Sequence, residues 1–159
     1  MSEELEKLNE LANFLRRMNS KILLIKLITQ AKNEYDKYDY EAGKASLEDA
    51  YKIDPENSTV LRGLGCFEQM NENFEGALNY FFKALEFSKN KEIEYTLIGM
   101  VYYFIDKLED AVKYFNLAID INEDYSSAYE GKNQAMLERH LQIIDLQESL
   151  EKRVNNRSL

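Results

Sequence analysis

A chain of 159 residues with 45% hydrophobic and 31% charged residues has the core-forming content of one folded domain and more charge than the usual quarter. Six glycines and one proline leave little for hairpins or long loops, and the single cysteine, Cys66, excludes an internal disulfide and any multi-cysteine metal site. The formal charge of −9 disfavours nucleic acid and anionic lipid as partners.

The first stretch, MSEELEKLNE, is acidic and polar where a secretory leader is basic and then apolar. No run approaches the roughly 18 apolar residues of a membrane span, so the expected location is the cytoplasm and no membrane partner is expected. Residues 3–18 space Leu5, Leu8, Ala12 and Leu15 by three and four, with Leu11 and Met18 widening the stripe. This predicts an amphipathic helix with one apolar face. Asn19-Ser20 offers a break, with Ser20 as a cap for the next helix.

From residue 24 the sequence repeats itself. Leu61, Leu64-Gly65, Gly76-Ala77, Phe81 and Ala84 recur at one constant offset as Tyr95, Ile98-Gly99, Asp110-Ala111, Phe115 and Ala118. Moved back by the same offset, the set reads Leu27, Gln30-Ala31, Ala42-Gly43, Leu47 and Ala50. Turns are expected at 36–39, 71–73 and 105–107, and joints at Asp54-Pro55, 88–90 and 122–124. The small residues mark where helix axes cross closely, with Leu47, Phe81 and Phe115 as core fillers. Residues 126–153 read as one long helix whose stripe of Ile143, Leu146, Leu150 and Val154 runs further than a simple cap requires, with 155–159 frayed.

The period and its content resemble the tetratricopeptide repeat, a helix–turn–helix unit. The resemblance implies an all-α fold, a right-handed α-α superhelix of antiparallel helix pairs. The expected organisation is an N-terminal helix at 1–23 that caps or dimerises, repeats at 24–57, 58–91 and 92–125, and a long C-terminal capping helix at 126–159. All of the −9 falls within 24–125, distributed as −3, 0 and −6 over the three repeats.

Proteins of this family bind other proteins, usually holding a peptide along a face lined by the first helix of each pair. Carried onto this sequence, the lining is Ile28, Lys32 and Tyr35 from the first repeat and Arg62, Cys66, Gln69 and Met70 from the second. The third contributes Thr96, Met100, Tyr103 and Phe104. Aromatic anchors, adaptable methionines and only two bases suit an apolar segment. Relatives that grip chaperone tails place Lys and Asn at fixed positions, which here hold Ile28, Lys32, Gly63, Ile93 and Leu97 or, one repeat later, Arg62, Cys66, Leu97, Ser127 and Gly131, so no carboxylate clamp is expected in either register.

No phosphate-binding glycine loop, His–Glu metal pair or nucleophile elbow is present, and His140 is the only histidine. The expectation is therefore a non-enzymatic adaptor without metal or cofactor, with a protein or peptide ligand and a homodimer through either terminal helix as a further option. Two alternatives share these features. The layout is similar to the tetratricopeptide-type chaperones of bacterial type III secretion, which hold hydrophobic translocators, and terminal-helix pairing would equally serve a self-assembling scaffold.

Overall fold

The computed structural model describes residues 2–157, with side chains from 4 to 153. Among the described residues there are seven α-helices and no strand. They are α1 (Ser2–Asp36), α2 (Tyr40–Ile53), α3 (Ser58–Met70), α4 (Phe74–Phe87), α5 (Lys91–Phe104), α6 (Leu108–Ile121) and α7 (Ser126–Arg157). They form two compact units, Met1–Phe87 and Ser88–Leu159.

Each helix pair closes through a short turn with the same backbone solution. Tyr38, Glu72 and Asp106, each one repeat period after the last, all take positive φ of 64°, 58° and 60°. In each turn the following N–H reaches back into the helix, as in Asn73 N–H to the Glu68 carbonyl at 2.9 Å, while the positive-φ residue bonds the carbonyl three back. This is the Schellman arrangement, which satisfies carbonyls left orphaned at a helix end. So short a turn makes the packed helices antiparallel. The next helix is then capped from the side chain: Asp39 Oδ1 accepts from Ala42 N–H and Asn73 Oδ1 from Gly76 N–H. Lys107 stands at the third such position and supplies no cap bond.

In the first unit, Phe81 of α4 is fully buried against Gly65 of α3, where a Cβ would lie 2.5 Å from the ring. In the second unit, Phe115 of α6 meets Gly99 of α5 in the same way at 2.9 Å. A large ring against a bare backbone, repeated one period apart in the second and third repeats, explains why their register tolerates no shift. Gly43, Ala77 and Ala111 on the opposing helices are buried, as are Ala50, Ala84 and Ala118. Each buried ring contributes about 1.5–3 kcal/mol by its removal from water.

The terminal helices depart from expectation. No break occurs at Asn19-Ser20: α1 runs unbroken for 35 residues into the first repeat. Both residues are good caps, but with no Gly or Pro nearby and both side chains exposed, neither has cause to interrupt the backbone hydrogen bonds. At the other end α7 stays helical to Arg157, through residues 155–157 expected to fray, while Ser158 and Leu159 lie outside the described residues and the Val154 side chain is likewise undescribed. Its first part packs on α6 and α5, held by Arg139 Nε on Glu109 Oε1 at 2.9 Å and by Gln142 Nε2 donating to Asp106 Oδ1 at 2.8 Å. Beyond residue 135 every described side chain of α7 is exposed.

Candidate functional site

In the first unit, α1 and α3 present one face each to a common pocket. From α1 come Ile28, Ala31, Lys32 and Tyr35, spaced three and four apart and so on one side of the helix. From α3 come Thr59, Gly63, Cys66, Phe67 and Met70 at the same helical spacing, and Leu47 of α2 contributes from below. The cavity measures about 310 Å³. That is at the small end of ligand pockets, with room for one or two side chains rather than a large cofactor.

The small residues create the concavity and the large ones set its edges. Gly63 lets α3 settle on Leu47: a Cβ there would meet the Leu47 Cδ1 methyl at 2.5 Å. Ala31 and Cys66 keep the walls low, while Phe67 is buried at the base. Tyr35 and Met70 are about half exposed at the rim. The Tyr35 ring is held at 5.4 Å from Tyr40 and 6.3 Å from Phe67, so it is fixed before anything binds. Lys32 is the only charged residue among those that line the pocket.

Behind the pocket, α2 and α3 are joined by Lys44 Nζ on Glu68 Oε1 at 3.1 Å. Asn73 Nδ2 donates to the other oxygen at 2.6 Å. The Asn73 amide, and next the Lys44 ammonium, hold the Glu68 carboxyl below the usual carboxylate range; the hydrogen bond to Glu68 in turn raises Lys44.

The structure therefore brings Ile28, Lys32, Tyr35, Cys66 and Met70 together, with Thr59 beside them. Arg62 and Gln69, also expected in the lining, are half-buried on α3 and do not line the pocket. In the second unit Met100 and Phe104 are exposed on α5 and Tyr103 is half-buried. Thr96 needs correction: it is 4% exposed, and its hydroxyl donates to the Glu92 carbonyl within its own helix at 2.8 Å. It belongs to the core. Sequence reasoning missed Phe67 and Gly63, because the repeat supplies Val101 and Leu97 at the matching positions and gives no sign of a pocket there.

His140 is exposed on α7, and among the described residues no group of His, Cys, Asp or Glu is arranged to hold a metal. No helix among them is long and apolar enough to cross a membrane.

Paired helices, a constant repeat register and ring-on-glycine packing define a helical-repeat protein. Residues 95–125 match the tetratricopeptide repeat family model, and the fold has its counterparts among solved tetratricopeptide repeat domains. The TPR domain of Arabidopsis OM64 superposes with a TM-score of 0.69 over 75% of this chain and 98% of that one, at 13% identity. The first TPR of Spaghetti (RPAP3), bound to the HSP90 peptide SRMEEVD, gives 0.67 over 74% and 93%, at 14% identity. An O-GlcNAc transferase mutant of Thermobaculum terrenum gives 0.70 at 20% identity, covering 74% of this chain and only 22% of the transferase. At these identities the likeness is one of fold. No protein of curated function matches the sequence.

Proposed function

We propose that this protein is a non-catalytic interaction module that holds an apolar peptide segment in the pocket between α1 and α3. The observation that carries this reading is a preformed 310 Å³ cavity with apolar walls, an anchored tyrosine and a flexible methionine at its rim, and one charge. Such a site takes a large apolar side chain into the cavity and sets a carbonyl or carboxylate of the ligand against Lys32. The family likeness supports a peptide as the ligand, since relatives of this fold bind peptides such as SRMEEVD of HSP90. The chemistry here differs from a carboxylate clamp: Lys32 is the single base at the five clamp positions of the first register, and Ile28 and Gly63 at two others line an apolar wall.

Affinity capture from the source lysate, comparing the wild type with Tyr35→Ala/Met70→Ala, tests this. One client present with the wild type and lost from the variant is the expected result, and its binding should also slow alkylation of Cys66. A soluble client fits an adaptor and a membrane-inserting client fits a secretion chaperone. A client captured equally by both baits, with Cys66 equally reactive, would place binding elsewhere.

A further inference from the structure

The first two-thirds of α1 has an unfilled seam. From Glu4 to Leu23 every side chain is exposed except Ala12, which is half-buried. The apolar packing against the rest of the first unit begins at Leu24 and continues through Leu27, Ile28 and Ala31, with only the polar flank of Arg16, Arg17, Ser20 and Lys21 near Ile53 and Asp54 before it. On the other side of the same helix Leu8, Leu11, Leu15, Met18, Ile22 and Ile25 follow each other at alternating spacings of three and four. These are six consecutive a and d positions of a heptad pattern, without a polar interruption. All six are between 41% and 65% exposed. They occupy about 27 Å of helix. A lone helix of this length in water, with no packing of its own, is marginal, and an apolar seam is the feature that would hold it.

We infer that α1 pairs with α1 of a second copy as an antiparallel coiled coil centred between Arg16 and Arg17. A self-pairing seam matches itself in this register. Leu8 meets Ile25 of the second copy, Leu11 meets its Ile22 and Leu15 meets its Met18, so every a faces a d. The flanking residues choose the orientation. A parallel pair would set Lys21 at g against Lys26 at e of the other chain and stack Glu4, at d, on its own copy. The antiparallel pair puts Lys21 beside Phe14, and places the acidic stretch 4–10 level with residues 23–29, which hold Lys26 and no acid. The exposed stripe of α7 is a poorer seam, because Arg139 and Arg153 fall at the d positions around Ile143, Leu146 and Leu150. This pairing is independent of what the pocket binds.

Sedimentation equilibrium of the full chain measures it. The wild type is expected to be a dimer, and Leu15→Glu/Ile22→Glu to associate about 100-fold more weakly or worse, since two charges per chain enter the seam. Both positions are exposed, so the melting transition of the repeats should be unchanged. Should it move, Leu11→Glu/Met18→Glu serves as the second variant. A wild type monomeric at every concentration reached, or a dimer indifferent to both variants, would overturn the proposal; the latter would point to α7. For orientation, Leu8→Cys and Ile25→Cys proteins are mixed, oxidised and mapped by peptide mass spectrometry. Links from position 8 to position 25 are expected; links from position 8 to position 8 as the main product would overturn the antiparallel arrangement.

Discussion

The pocket of the first unit has an image two repeat periods further along, in the second, and the two have been finished differently. Ile28, Lys32, Tyr35, Leu47, Cys66, Phe67 and Met70 become Thr96, Met100, Tyr103, Phe115, Gln134, Ala135 and Glu138, while Gly63 becomes Gly131. In the first unit Leu47 is short enough to leave a cavity above it. In the second, the Phe115 ring takes that position, packed between Gly99 and Gly131 with Ala135 buried beside it. The rim changes as well: a base becomes methionine, and a methionine becomes an acid. One backbone plan thus yields an open apolar site or a closed core, depending on the filler between two helices.

The largest test of that contrast is truncation of the two fillers. Phe115→Ala should cost about 3–5 kcal/mol, because it empties a sealed site. Leu47→Ala should cost less, about 2–3 kcal/mol, since one side of Leu47 already faces the pocket. Native-state hydrogen exchange within each unit reads both, and equal losses would argue against an open first site.

Alanine at the paired glycines should separate the two sites further. A Cβ at position 131 would lie 2.5 Å from the Phe115 ring, which Gly99 blocks from retreating. Gly131→Ala is therefore expected to destabilise by about 1–3 kcal/mol. At position 63 the clash is with a Leu47 methyl that can rotate away, and alanine gains about 1 kcal/mol of helix propensity. Gly63→Ala should leave the melting temperature level or raise it, while reducing ligand binding.

The third difference concerns capping. Asp39 and Asn73 cap α2 and α4, whereas Lys107 does not cap α6. Lys107→Asn should stabilise the second unit by about 1 kcal/mol, and the reverse change, Asn73→Lys, should weaken the first. A thermal melt of each variant is sufficient; no gain from Lys107→Asn would mean that the α6 terminus is already satisfied.

The smallest effect is the pH dependence of the bridge between α2 and α3. The Glu68 carboxyl lies below its ordinary value because of Asn73 first and Lys44 second. A depressed carboxylate contributes stability above its unfolded value of about 4.3, and that contribution is lost as pH falls through the folded value. The pair is partly exposed, so the loss should be about 0.2–1 kcal/mol. Glu68→Gln should flatten the decline in melting temperature below about pH 4.5. An unchanged decline would mean that other carboxylates govern acid unfolding.

Most of the frame was legible in the sequence because helix crossings impose strict size limits. Ala31, Gly65 and Gly99 recur once per period, and so do the fillers Leu47, Phe81 and Phe115, so the register and the turns could be read directly. What escaped depends on contacts without a repeat. Phe67 has no aromatic counterpart at 101 or 135, and Thr96 reads as a lining residue until its burial and its bond to Glu92 are seen. The continuity of α1 escaped for another reason. Asn19 and Ser20 act as caps only when the backbone has cause to bend, and on an exposed helix face nothing supplies one.

The most direct test of the account is a calorimetric titration with a peptide selected by display against the wild type. The titration compares the wild type with Tyr35→Ala/Met70→Ala in the first unit and Met100→Ala/Phe104→Ala in the second. The first pair should weaken binding about 30-fold or more, the equivalent of about 2 kcal/mol, and the second pair should change it less than about threefold. A peptide that binds the first variant as tightly as the wild type, or that is lost only from the second, would contradict the account.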